Sequence, residues 1–137
     1  MLHVSLTENK KIYFASDNHL GAPTPEASKE REAKFVCWLD TIKADAGAIF
    51  LLGDLFYFWF EYRTVVPKGF VRTLGKLAEL RDSGIAIYFF VGNHDLWMDD
   101  YFEKELNIPV FHRPQEVESC GKRFLIGHGD CLGPGDK

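Results

Sequence analysis

A chain of 137 residues suits one domain, since about 150 residues suffice to bury roughly 68–70% of the unfolded surface. The formal charge is −4 with histidine neutral, and no stretch is basic enough for a nucleic-acid footprint, so nucleic acid is not expected as a partner. Hydrophobic residues at 46% and aromatics at 15%, with no polar tract or internal repeat, argue against a disordered chain.

Three further exclusions follow. Cys37, Cys120 and Cys131 are odd in number and lack C-x-x-C spacing, so neither a disulfide framework nor a zinc knuckle is expected and a reducing cytoplasm fits. The N-terminal residues lack the apolar core and cleavage site of a signal peptide. The longest apolar runs are too short to span a bilayer, which leaves peripheral membrane contact.

In chain order, Ile12-Tyr13-Phe14-Ala15 reads as a strand running into Ser16-Asp17-Asn18-His19. One Gly and two Pro in Leu20 to Pro25 mark a loop. Glu26 to Lys43 follows as a helix: Phe35, Trp38, Leu39 and Ile42 have helical spacing, and Glu26, Glu30 and Glu32 suit the positive end of its dipole. The charged front half is expected to be solvated. This helix is a crossover between parallel strands, closed by Asp45-Ala46-Gly47. Ala48 to Leu52 is then a purely apolar run ending in Gly53-Asp54, the pattern of a strand covered on both faces.

Leu55 to Tyr62 holds six aromatics in eight residues. Composition favours a core plug packing under the loops. The alternative is an apolar wall beside the site, able to hold an acyl chain or stack a base, and Arg63 serves either. Pro67 to Ser83 is a second helix, with Phe70, Leu74, Leu77 and Leu80 on one stripe and Gly84 just past the end. Its Lys68, Arg72, Lys76 and Arg81 are expected to be a solvated face, the alternative being a basic helix side that meets phosphate near a site. Ile85 to Val91 is a third strand, entering Gly92-Asn93-His94-Asp95. Asp99 to Asn107 reads as a short helix, Val110-Phe111 as an extended piece, and Glu116 to Ile126 as a hairpin turning at Cys120-Gly121 before Gly127-His128-Gly129-Asp130. Strands alternating with helices predict an α/β fold, a mainly parallel sheet with crossover helices.

Four strand-like runs thus end in residues that ligate hard or borderline metals. In an open α/β sheet the carboxyl ends of the strands face the crevice where ligands bind, so one polar cluster at one sheet edge is expected. Asp17 and His19 are two residues apart, and in an extended segment they would face the same way and reach one ion. Asp54 can bridge a pair of ions, and Asn93 and His128 can complete a second position with it. Oxygen and imidazole donors without thiolate suit Mn²⁺, Mg²⁺, Fe²⁺ or Zn²⁺. Taken singly, Asn93 could be a turn residue, His128 a core histidine and His19 a helix-entry residue. Their joint arrival behind apolar runs singles out the metal.

Ser16-Asp17-Asn18-His19, Gly53-Asp54, Gly92-Asn93-His94-Asp95 and Gly127-His128-Gly129-Asp130, in that order, resemble the calcineurin-like metallophosphoesterases. Asp17 to Gly21, Gly53 to Phe56, Trp59 to Tyr62 and His128-Gly129-Asp130 resemble one branch, the UDP-2,3-diacylglucosamine pyrophosphatases of lipid A synthesis. The resemblance implies the N-terminal portion of an αββα sandwich holding two divalent ions, Mn²⁺ foremost. Asp17 and His19 would bind the first, Asp54 would bridge, and Asn93 and His128 would bind the second. His94 would contact phosphate or protonate the leaving group, and Asp95 would orient it through a hydrogen bond. The ions would activate water for in-line attack on a nucleotide lipid, giving lipid X and UMP without a covalent enzyme intermediate. A cytoplasmic protein, peripheral on the inner membrane, is the implied setting.

The chain departs from the pattern in three ways. Tyr57 stands where the family often has an acid, no histidine follows His128, and the family's closing Gly-His-x-His and a second sheet are expected beyond Lys137. The chain therefore reads as a single domain, 1–137, truncated at its C-terminus. A rival reading follows, a non-catalytic fragment of such an enzyme that binds metal weakly and self-associates through an exposed sheet. The same superfamily with another substrate is a second alternative. A metal-free nucleotide-binding module is disfavoured, since no Gly-rich phosphate loop follows a strand.

Overall fold

The computed structural model describes residues 1–95 and 97–128. Its strands are β1 (Leu2–His3), β2 (Lys11–Ala15), β3 (Ala46–Leu51), β4 (Ala86–Phe90), β5 (Val110–Phe111), β6 (Gln115–Ser119) and β7 (Lys122–Ile126), with helices α1 (Pro25–Ile42), α2 (Val71–Asp82) and α3 (Tyr101–Leu106). One sheet has the order β2-β3-β4-β5 with every pairing parallel. The other has the order β1-β6-β7, where β1 runs parallel to β6 and β6–β7 is the antiparallel hairpin. This is the α/β architecture expected, with helical crossovers between the parallel strands.

The period-two alternation of strand side chains builds the layers. Ile49 and Leu51 of β3 and Ile87 and Phe89 of β4 pack against Phe35 and Leu39 of α1, Leu77 and Leu80 of α2, and Phe102 of α3. Ala48, Phe50 and Phe90 point the other way, onto Val4, Val117 and Ile126 of the three-stranded sheet and its approach. Phe50 is fully buried and stacks with Phe14, Tyr88 and Phe90 at centroid distances of 5.4, 4.9 and 6.3 Å. Removing a buried ring of that kind costs about 3–5 kcal/mol. Helices, the parallel sheet and the second sheet thus form three layers. The second sheet, expected beyond the chain's end, begins within it and uses β1, a strand the sequence pattern did not reveal.

Other expectations are corrected by packing. Ala46 and Gly47 belong to β3 instead of to a closing loop, because the 6–10 segment lies against them. A Cβ on Gly47 would run into Leu6 and lie 3.2 Å from Lys10 Cβ. α1 starts at Pro25 with Thr24 as its cap, whose hydroxyl accepts from Ala27 N at 3.1 Å. Its front half is not all solvated: Ser28 and Glu32 are buried, and Glu32 Oε2 accepts from Thr73 N at 3.3 Å and Thr73 Oγ1 at 2.8 Å. α2 starts at Val71, since Gly69 with φ +100° interrupts a helix from Pro67. Lys76 is not simply solvated but pairs with Asp40 and Glu79 at 3.1 and 3.0 Å, joining α1 to α2.

The aromatic segment after Asp54 divides between both readings. Leu55, Phe56 and Trp59 are fully buried, whereas Tyr57, Phe58, Phe60 and Tyr62 are exposed. Glu61 ties the segment to the start of α3, accepting from Trp59 Nε1 at 2.8 Å and from Tyr101 N at 3.1 Å. No helix among the described residues is long and apolar enough to cross a membrane. Gly129, Asp130 and Cys131 lie outside the described residues.

Candidate metal centre

The loops leaving β2 and β3 run side by side. Asp17 N donates to Gly53 O at 3.2 Å, His19 N to Asp54 O at 3.0 Å, and Leu20 N to Leu55 O at 2.9 Å. Asp17 (φ +58°), His19 (φ +47°) and Asp54 (φ +52°) are left-handed. The expected extended Asp17-Asn18-His19 is therefore wrong in its local geometry. Each such non-glycine residue costs of order 1–3 kcal/mol and persists only where its surroundings over-determine it. Arg31 of α1 supplies part of that: its guanidinium donates to Asn18 O at 2.8 Å, to His19 O at 2.9 Å and to Ala22 O. Ser28 Oγ accepts from Gly21 N at 2.9 Å in the same loop.

Asp54 is the hub and is 4% exposed, enough burial that its charge needs a partner. Its Oδ1 accepts from His94 N at 2.8 Å. Gly92 lets the β4 loop come this close, since a Cβ there would lie 2.6 Å from Asp54 N and 2.8 Å from Asp54 Cγ. Asp95 is wholly buried and, among the described residues, makes no hydrogen bond to the His94 ring. Its carboxylate accepts from Gly92 N at 2.7 Å, Asp54 N at 3.2 Å and Leu55 N at 3.0 Å. Burial holds the Asp95 carboxyl above the usual carboxylate range, and the Gly92 and Asp54 amides pull against that rise.

Three side chains turn donor atoms toward the Asp54 carboxylate. His128 sits 2.6 Å from the Leu52 carbonyl through Nδ1. A carbonyl only accepts, so Nδ1 carries the proton, and Nε2 on the far side of the ring faces Asp54 Oδ2, 3.3 Å away. Among the described residues His19 Nε2 is buried without a hydrogen-bond partner, 3.6 Å from Asp54 Oδ2 and 3.9 Å from Asp17 Oδ1. Asn93 presents its amide to both Asp54 oxygens: the nearer side-chain atom satisfies them, at 3.2 and 2.8 Å, only if it is the nitrogen, whereas a metal would ask for the oxygen. Imidazole nitrogens and carboxylate oxygens brought this close are the donor set that a divalent cation takes. The residues present therefore fit a divalent metal, with one histidine tautomer already set by a backbone carbonyl.

Around Asp54, two sets of three ligand atoms each lie within 4.8 Å of one another: Asp17 with Asp54 and His128, and His19 with Asp54 and His94. Asp54 is common to both. Asp17 groups with His128, and His94 lies within reach of the centre beside His19, whose Nε2 is also 3.9 Å from Asp17 Oδ1. The strands that deliver these residues also differ. Asp17, Asp54 and Asn93 follow strands of the parallel sheet, whereas His128 follows β7 of the second sheet, so the cluster is not one sheet edge. Arg31 and Ser28 escaped the sequence reading because nothing in an amphipathic pattern marks which polar helix residue faces a loop.

Comparison with known proteins gives a consistent picture. A family model described as calcineurin-like phosphoesterase matches residues 10–133. Over 120 residues the chain is 50% identical to UDP-2,3-diacylglucosamine hydrolase of Porphyromonas gingivalis, covering 88% of this chain and 46% of that one. It is 33% identical over 119 residues to the protein of that name from Aeromonas salmonicida, covering 87% and 45%. With the Haemophilus influenzae protein of that name it shares 32% over 126 residues, covering 90% and 50%. The chain spans about half the length of the curated relatives it matches.

Proposed function

Because the chain belongs to the calcineurin-like phosphoesterase family, we propose that its centre holds two divalent ions, Mn²⁺ foremost, and hydrolyses a phosphoric anhydride or ester. The substrate we assign is UDP-2,3-diacylglucosamine, cleaved by water to lipid X and UMP, the compound in the names of the relatives. The observation that carries this reading is the convergence of imidazole nitrogens on buried Asp54. Asp17, His19, Asp54, Asn93 and His128 would hold the ions. Bound there, such ions supply Lewis acidity, polarising phosphoryl oxygens and making water nucleophilic at neutral pH.

The other residues act on geometry and protons. His94, next to the centre, meets the phosphate or gives a proton to the leaving oxygen. Asp95 is a positioning residue that fixes the backbone on both sides of Asp54. The exposed Phe58, Phe60, Tyr62 and Trp97, on the segments leading away from the centre, offer an apolar strip that suits acyl chains and a peripheral contact with the cytoplasmic face of the inner membrane.

The test is a Mn²⁺-dependent assay on the whole protein with UDP-2,3-diacylglucosamine, with and without chelator. Release of UMP that chelation abolishes and Mn²⁺ restores is expected. Hydrolysis of simple phosphodiesters without the lipid substrate would overturn the substrate assignment and keep the hydrolase. No metal-dependent hydrolysis of either would overturn both.

A further inference from the structure

Within the centre, His94 has its ring held by contact with other rings. Its hydrogen bond is made by the backbone amide, to Asp54 Oδ1, and its imidazole packs on two neighbours. Tyr57 stacks on it at a centroid distance of 5.1 Å and an interplanar angle of 22°. His19 meets it edge-on at 4.9 Å and 62°, and Tyr57 touches His19 at 6.2 Å and 66°. The three rings form a closed triangle beside Asp54.

Tyr57 is itself fixed from both sides. Its amide donates to Leu20 O at 2.8 Å, and Leu55 and Phe56 before it are fully buried. Yet 49% of Tyr57 is exposed, so the core does not require the ring. Its stacking partner is His94. An imidazole free to turn about its side-chain torsions spends most of its time away from a reacting phosphate, and a parallel ring on one face with an edge on another removes that freedom.

We infer that Tyr57 is a positioning residue for the proposed reaction, its ring holding the His94 imidazole at the centre by stacking, with the phenol oxygen playing no part. This rests on the hydrolase reading given above. Stacked pairs of this type are worth between about 2- and 10-fold in an equilibrium, which sets the size of the effect.

The experiment compares Tyr57→Ala and Tyr57→Phe in the whole protein, alone and with His94→Asn, by two readouts. The first is steady-state hydrolysis of UDP-2,3-diacylglucosamine, or of a simple phosphodiester. Tyr57→Ala is expected to lower kcat between about 2- and 10-fold at unchanged KM, Tyr57→Phe to restore it, and Tyr57→Ala to cost nothing further in the His94→Asn background. The second is the proton NMR spectrum of the metal-free protein, where the His94 ring signal, assigned with His94→Asn, is expected upfield in the parent and in Tyr57→Phe and shifted downfield in Tyr57→Ala. A raised KM with unchanged kcat, full additivity with His94→Asn, or an unmoved His94 signal overturns the inference. The NMR readout needs no substrate, so it stays decisive if the hydrolase reading fails.

Discussion

Asp95 holds Asp54 by the backbone: its carboxylate accepts the Asp54 amide at 3.2 Å and the Leu55 amide at 3.0 Å while also taking Gly92 N at 2.7 Å. One buried acid thus joins the loops after β3 and β4 and aims a second acid. Asp95→Asn replaces an acceptor by a donor against at least one of these amides. Leaving a buried amide unsatisfied costs about 1–3 kcal/mol. Urea unfolding should show that loss, with Mn²⁺ affinity falling in the same variant by calorimetric titration. Unchanged stability would mean that the three amides do not depend on the carboxylate.

Gly92→Ala should disturb the same pair from the other side. The added methyl would meet the Asp54 carboxylate and amide, and overpacking of that kind costs about 1–3 kcal/mol. Because the group displaced is Asp54 itself, the variant should lose Mn²⁺ binding out of proportion to its lost stability. A variant that unfolds earlier but binds Mn²⁺ normally would show that the strain is absorbed elsewhere.

Arg31→Lys keeps the charge and loses the planar fork that reaches the Asn18, His19 and Ala22 carbonyls. The left-handed His19 then loses an outside constraint. Supporting residues of this kind are worth about 10–100-fold in metal affinity, and calorimetric Mn²⁺ titration should show a drop in that range. Equal affinity in the parent and the Arg31→Lys variant would assign the guanidinium a stabilising role only.

The α1–α2 seam predicts a pH response. Asp40 is held below its ordinary value of 3.8 by hydrogen bonds from Lys43 and Lys76, and Glu79 below 4.5 by hydrogen bonds from Lys76 and Lys43. A carboxyl lowered in the folded state stabilises it above the unfolded value, and that contribution is lost as pH falls through the lowered one. Unfolding midpoints of the parent should therefore fall more steeply than those of D40N/E79Q between about pH 5 and pH 3. The difference should shrink with added salt, since these groups are exposed. Parallel pH curves would show that the seam carries no net electrostatic stabilisation.

Much of this fold can be read from patterns that buried strands impose. Ala48 to Leu52 is apolar at every position because β3 has helices on one face and a sheet on the other. Phe35, Leu39 and Ile42 mark the buried stripe of α1 for a similar reason. The residues around Asp54 were recognisable because four apolar runs end in ligand-type side chains. What was hidden is of another kind. The left-handed turns at Asp17 and His19, the second-sheet origin of His128 and the grip of Arg31 depend on contacts between distant segments, and neither periodicity nor composition encodes these. The resemblance pairs Asp95 with His94, yet two of its partners lie 40 and 41 residues away.

Since His128 rides on β7 and the other donors come from loops of the parallel sheet, the centre exists only once the two layers have docked in the right alignment. A partly assembled chain with the parallel sheet alone would carry every remaining donor and still lack the imidazole whose tautomer the Leu52 carbonyl sets. The full donor set is thereby reserved for the finished tertiary structure, and any agent that pries the two sheets apart would part His128 from Asp54 before the parallel sheet itself melts.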